Sequence, residues 1–143
     1  MDEHRFTLFP CEGMIILVAD DHEVVRRGLV AILASRAGVT IHEAGNGQEA
    51  VQKALDLKPD FVILDVTMPH LDGLGASRQI HAGLPGIPIL ILSIHEGREI
   101  ARAAKDAGAR GFVTKRDAGS VLLQAVDALL QGKTFYSYGA GQR

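Results

Sequence analysis

Five side chains in this sequence are of the types that together could move a phosphoryl group: the carboxylates of Asp20, Asp21 and Asp65, the hydroxyl of Ser93 and the amine of Lys115. They follow four short apolar runs, the two adjacent aspartates sharing one. MIILVA (14–19) runs into Asp20 and Asp21, FVIL (61–64) into Asp65, IPILIL (87–92) into Ser93, and GFVT (111–114) into Lys115. If these runs are strands of one open parallel sheet, all five groups emerge along its carboxyl edge, where such sheets bind ligands. Carboxylates gathered this closely repel one another and need a cation. Oxygen donors suit Mg²⁺, which keeps several waters and shares a phosphoryl oxygen. Lys115 adds a positive charge that can hold a phosphoryl group, and Ser93 a hydroxyl that can donate to one of its oxygens. A metal-activated carboxylate beside a lysine is what in-line attack on phosphorus requires, and the product is an aspartyl phosphate.

The elements that must position these groups follow from periodicity. The apolar runs are continuous and rich in Val and Ile, as expected of strands buried on both faces. A fifth run, VTIHEA (39–44), is shorter of apolar residues and reads as a strand nearer an edge. Between the runs, apolar residues recur at helical spacing over 22–36 (Val25, Leu29, Ile32, Leu33), 47–57 (Ala50, Val51, Ala54, Leu55), 72–82, 96–107 and 118–131. Gly38, Pro59, Gly108 and Gly132 stand as stops, and the third helix is expected to be irregular at its glycine-rich start. Strand then helix, repeated five times, implies a parallel sheet with right-handed crossovers and helices on both faces.

The chain of 143 residues is the size of one domain. Its net charge of −2 gives no support to a nucleic-acid grip by this segment itself. No apolar run approaches the roughly 20 residues of a membrane span, and the mixed start MDEHRFTLFPCEG does not read as a signal peptide. The single cysteine, Cys11, has no partner for a disulfide. A cytoplasmic protein is expected. Residues 1–13 are read as an N-terminal extension, 14–132 as the folded domain, and 133–143 as a C-terminal linker or tail.

At this point the motifs resemble those of a response regulator receiver domain of two-component systems. The acidic pair stands in Ala19-Asp20-Asp21-His22, and the phosphoacceptor segment in Val62-Ile63-Leu64-Asp65-Val66-Thr67-Met68-Pro69, followed by Leu71-Asp72-Gly73. Ser93 closes Ile91-Leu92-Ser93, and Lys115 closes the segment 108–115. The stretch 21–29 further resembles the NarL/LuxR-type subfamily. The resemblance spans about Met14 to Lys133 and implies a flavodoxin-like (βα)5 doubly wound sheet of strand order 2-1-3-4-5. It implies Asp65 as acceptor of a phosphoryl group from a histidine kinase or acetyl phosphate. Mg²⁺ would be held by Asp21, Asp65 and the backbone carbonyl of Thr67, with Asp20 acting through water. Lys115 would contact the phosphate, Ser93 and Phe112 would form the switch, and Thr67 and His95 would tune dephosphorylation. The implied molecule is a switch that acts only on its own phosphorylation, and phosphorylation would favour a homodimer. Its DNA-binding output domain would lie beyond this chain. A proline often follows the family's strand-five lysine; here it is Arg116, which puts the usual cis peptide in doubt.

Plainer readings stand beside these. Asp20-Asp21 can cap a helix, Asp72 and Gly73 start one, and Phe112 can be a half-buried strand aromatic. Arg26 and Arg27 read as a solvated helix face. His4, His42, His70 and His81 read as surface residues without metal spacing. Two alternatives use the same fold or a similar chemistry. An aspartate-nucleophile phosphatase needs a second Asp two residues after the first, where this chain has His22 or Thr67. A flavin or nucleotide binder needs a glycine-rich loop after strand one, where this chain is acidic. A stand-alone receiver, or a module that binds partners without phosphorylation, remains the other reading.

Overall fold

The structure, a computed structural model, describes residues 13–137. In chain order the elements are β1 (Met14–Ala19), α1 (Glu23–Leu33), β2 (Val39–Ala44), α2 (Gly47–Leu57), β3 (Phe61–Asp65), α3 (Gly73–Gly83), β4 (Ile89–Ser93), α4 (Arg98–Asp106), β5 (Gly111–Thr114), α5 (Lys115–Leu130) and β6 (Phe135–Tyr136). The strands pair in parallel, in the order β2-β1-β3-β4-β5-β6. The expected order 2-1-3-4-5 is present, and a sixth strand is added at the β5 edge. Residues 133–143, read as linker, therefore contribute a piece of the sheet at Phe135–Tyr136. Positions 1–12 and 138–143, with His4 and Cys11, lie outside the described residues.

Strands β3, β4 and β5 are buried at every position, which is why they read as unbroken apolar runs. Successive side chains leave a strand on opposite faces, so each run feeds two cores. On one face Val18, Phe61, Ile63, Leu90, Leu92 and Val113 pack with Leu29 and Leu33 of α1 and Leu122, Val126 and Leu129 of α5. On the other, Leu17, Val62, Leu64, Ile91 and Phe112 meet mostly alanines: Ala50 and Ala54 of α2, Ala76 of α3, Ala101 and Ala104 of α4. Small residues let those three helices approach the sheet closely. The more polar β2 lies at the outer edge, as expected.

The boundaries that differ have local causes. β4 begins at Ile89 and not Ile87, because Pro88 has no N–H for the ladder. α5 begins at Lys115 and not Ala118, with Thr114 at its N-cap, so strand passes into helix without a loop. α3 starts regularly because the Asp72 side chain accepts from the Gly75 N–H at 2.7 Å. The peptide bond into Arg116 is trans. Where a proline often stands, the Arg116 guanidinium forms an ion pair with Glu96.

The turn into α2 is tied twice. Asn46 Oδ1 accepts from the Glu49 N–H at 2.8 Å, and Glu49 Oε1 accepts from the Gly45 N–H at 2.7 Å. That second bond, helped by Lys53 at 3.0 Å, holds the Glu49 carboxyl below its usual value. Asn46→Ala is expected to lower the free energy of urea unfolding by about 1 kcal/mol. An unchanged urea midpoint would show that the cap contributes nothing.

Candidate functional site

The carboxyl ends of β1, β3 and β5 bring Asp20, Asp21, Asp65 and Lys115 together. Carboxylate oxygens of the three aspartates all lie within 4.8 Å of one another. Asp20 is wholly buried and Asp65 nearly so, whereas Asp21 is exposed at the mouth. The Lys115 ammonium bridges the two buried carboxylates, at 3.0 Å from Asp20 Oδ2 and 3.1 Å from Asp65 Oδ2. Asp20 Oδ1 accepts from the His22 N–H at 2.9 Å. Its Oδ2 has the lysine as an ion partner but receives no well-directed hydrogen bond among the described residues.

Burial first, and the Asp20 charge second, push the Asp65 carboxyl up to about 6, against the pull of Lys115 and the Thr67 amide. Burial also opposes the Lys115 charge, but the two carboxylates outweigh it and raise the ammonium's pKa. One cation thus under-compensates the carboxylates gathered here. The donors are oxygens, one of them lacks a directed bond, and a divalent ion of the Mg²⁺ type fits that set. The groups open onto a cleft of about 370 Å³ lined by Asp21, His22, Asp65, Thr67, Ile94 and Lys115. A somewhat larger cleft, about 460 Å³, lies between α4 and β6, but its walls (Arg98, Ala101, Arg102, Lys105, Thr134, Tyr136) carry no carboxylate.

The other expected residues sit as follows. Ser93 is fully buried at the end of β4, its Oγ accepting from the His95 N–H at 2.8 Å. His95 itself is exposed and reaches Ser93 through its backbone. Phe112 is fully buried in the core beneath α3 and α4, not half-buried as its strand position allowed. Arg27 forms the solvated pair expected of a helix face, with Glu23. Arg26 does not. It folds inward, its Nε donating to Glu43 Oε1 at 2.8 Å and its Nη1 to the Asp20 backbone carbonyl at 2.7 Å. It thereby pins the end of β1 on which the acidic pair stands. Helical spacing carried a signal for this: Arg26 lies three residues before Leu29 and seven before Leu33, beside the apolar stripe of α1, whereas Arg27 lies opposite it.

The model of the response regulator receiver domain family matches residues 16–127. The transcriptional activator protein ExaE of Pseudomonas putida is 38% identical over 123 residues, 85% of this chain and 58% of its own length. The chain thus spans little more than half of that relative. A LuxR-family two-component response regulator from Aurantimonas sp. superposes with a TM-score of 0.80 at 35% identity, covering 85% of this chain and 87% of that one. The isolated REC domain of RcsB from Salmonella enterica serovar Typhimurium, solved in the presence of phosphomimetic BeF3⁻, gives 0.78 at 27% identity over 87% and 93%. No helix among the described residues is long and apolar enough to cross a membrane.

Proposed function

The chain belongs to the response regulator receiver domain family, and on that premise we propose that it is a Mg²⁺-dependent switch thrown by phosphorylation of Asp65. The observation that carries this reading is the trio Asp20, Asp21 and Asp65 with the Lys115 ammonium between its two buried members.

In the proposed reaction an Asp65 carboxylate oxygen attacks the phosphorus of a phosphohistidine on a sensor kinase, or of acetyl phosphate. The new bond is Asp65 O–P, and the bond to the histidine nitrogen or to the acetate oxygen breaks. Asp21, Asp65 and the Thr67 carbonyl would hold Mg²⁺, with Asp20 behind a water; the ion would offset the charge of the carboxylates and of the phosphoryl oxygens. Lys115 holds Asp65 beforehand and then pairs with the phosphoryl group. Ser93 turns its hydroxyl to a phosphoryl oxygen, and Phe112 follows on β5, so a local change of charge biases the surface around α4 and β5. Thr67, which lines the cleft, and His95, two residues past Ser93, would tune the lifetime of the acyl phosphate. The chain acts on itself alone, in the cytoplasm. Its output is a change of partner: a second copy, or a DNA-binding region beyond this chain, as the transcriptional relative suggests.

A metal titration tests the site. Below about pH 6 Asp65 must shed a proton to take up the cation. The apparent Mg²⁺ affinity is therefore expected to be flat above that pH and to weaken up to about tenfold per unit below it. Mg²⁺ should raise the melting temperature at pH 7.5, and Mg²⁺ with beryllofluoride should raise it further. An affinity indifferent to pH between 5 and 7.5, or no added effect of beryllofluoride, would contradict this assignment.

A further inference from the structure

One buried polar group beside the site is left unexplained by these roles. Thr114 is the last residue of β5 and the N-cap of α5, yet its hydroxyl makes no cap bond. It is 1% exposed, and its Oγ1 has no hydrogen-bond partner among the described residues. Threonine at an N-cap normally spends its oxygen on the helix, and a buried hydroxyl left unpaired calls for an explanation.

Register supplies one. Thr114 is the Cα partner of Ser93 on the neighbouring strand. Paired residues of a parallel ladder point to the same face. Ile91 and Phe112, two positions earlier on the two strands, do share one core. The two hydroxyls therefore stand side by side on the α3/α4 side of the sheet edge, next to Lys115. Ser93 Oγ accepts from the His95 N–H, while its own proton goes to no acceptor among the described residues.

We propose that Thr114 is a positioning residue for Ser93: its unpaired hydroxyl donates to Ser93 Oγ when Ser93 gives its own proton to the phosphoryl oxygen. A hydroxyl is one donor and two acceptors, so Ser93 can donate to the phosphoryl group and still accept from Thr114. The resting protein carries the unmade bond, and the phosphorylated form makes it. Thr114 thus biases the switch toward the phosphorylated arrangement without touching the phosphoryl group. This rests on the reading of Ser93 given above.

The test is beryllofluoride affinity in saturating Mg²⁺, with the melting temperature of the free protein, for wild type, Thr114→Val, Thr114→Ser and Ser93→Ala with and without Thr114→Val. The Val variant is expected to melt no lower than wild type, since it removes a buried unpaired group, yet to bind beryllofluoride about five- to tenfold more weakly. The Ser variant restores the affinity, and in the Ser93→Ala background the Val change has no further effect. Equal binding by wild type and Thr114→Val, or equal weakening by the Ser and Val variants, would overturn the inference alone. Failure of the wild type to bind beryllofluoride at all would overturn the phosphoacceptor reading and this inference with it.

Discussion

Gly73→Ala is expected to destabilise the protein by about 3 kcal/mol or more, while Gly28→Ala adds about 0.5–1 kcal/mol. Both glycines lie in helices, so propensity alone predicts a gain at each. Space decides otherwise. A Cβ on Gly73 would stand 2.0 Å from the carbonyl oxygen of Asp65 and 2.7 Å from its carbonyl carbon. These are backbone atoms at the end of β3, tied in place by the Gly73 N–H bond to Val66 O at 2.8 Å. They cannot swing aside as a side chain could, so the strand end that carries Asp65 must move. Gly28 has nothing within 4 Å and faces solvent. Urea unfolding of the two variants measures the contrast, and a Gly73→Ala protein as stable as wild type would show that this close approach is not required. Because the displaced atoms belong to Asp65, the same variant should also lose Mg²⁺ affinity.

Asp65→Asn is expected to act in opposite directions on stability and on chemistry. The carboxyl is raised from 3.8 to about 6, by burial first and by Asp20 second. A carboxyl whose folded-state pKa lies above its unfolded value costs nothing below the unfolded value and its full penalty above the folded one. The cation-free wild type should therefore lose stability as pH rises from about 4 to about 6. The raised value sets a ceiling of about 3 kcal/mol. The amide removes the charge but also one of the two ion partners of Lys115, so the net gain at pH 7.5 is expected at about 1–3 kcal/mol. Mg²⁺ should stabilise the wild type and leave the variant nearly unmoved. A variant less stable than wild type in EDTA at pH 7.5 would mean that the Lys115 pair, and not the repulsion, dominates this corner. Trading stability for a charge that does chemistry is common at functional sites.

Much of this was legible in the residues. The runs at 14–19, 61–64, 87–92 and 111–114 are apolar at nearly every position because both faces of the central strands are covered, and each ends at the group it delivers. The trio of aspartates and Lys115 could be assembled from that alone. What stayed hidden depends on tertiary placement. Asp20 and Asp21 are adjacent and identical in type, yet one is sealed against Lys115 and the other open to solvent. Helical spacing sets Arg26 beside the apolar stripe of α1 and Arg27 opposite it, but the partners of Arg26, Glu43 and the Asp20 carbonyl, are brought to it only by the packed sheet. The strand Phe135–Tyr136 is two residues long, too short for any alternation, and exists because β5 offers a free edge. There the Ser137 N–H donates to the Phe112 carbonyl at 2.7 Å, and Ser137 Oγ lies 3.0 Å from Asp117 Oδ2. Thr114 reads as an ordinary strand residue until its partner on β4 is known. The close approaches of Gly73 to Asp65, and of Gly47 to the Leu71 carbonyl, likewise belong to the packed chain.

The proposed switch requires that Asp65 take a phosphoryl group with the help of a divalent cation. Intact-mass spectrometry after incubation with acetyl phosphate tests it most directly, with Mg²⁺ or EDTA, on wild type and Asp65→Asn. A gain of one phosphoryl group is expected in the wild type with Mg²⁺, and none in EDTA or in the variant. No gain in the wild type under any condition, or an equal gain in Asp65→Asn, would contradict it and leave a module that binds its partners without phosphorylation.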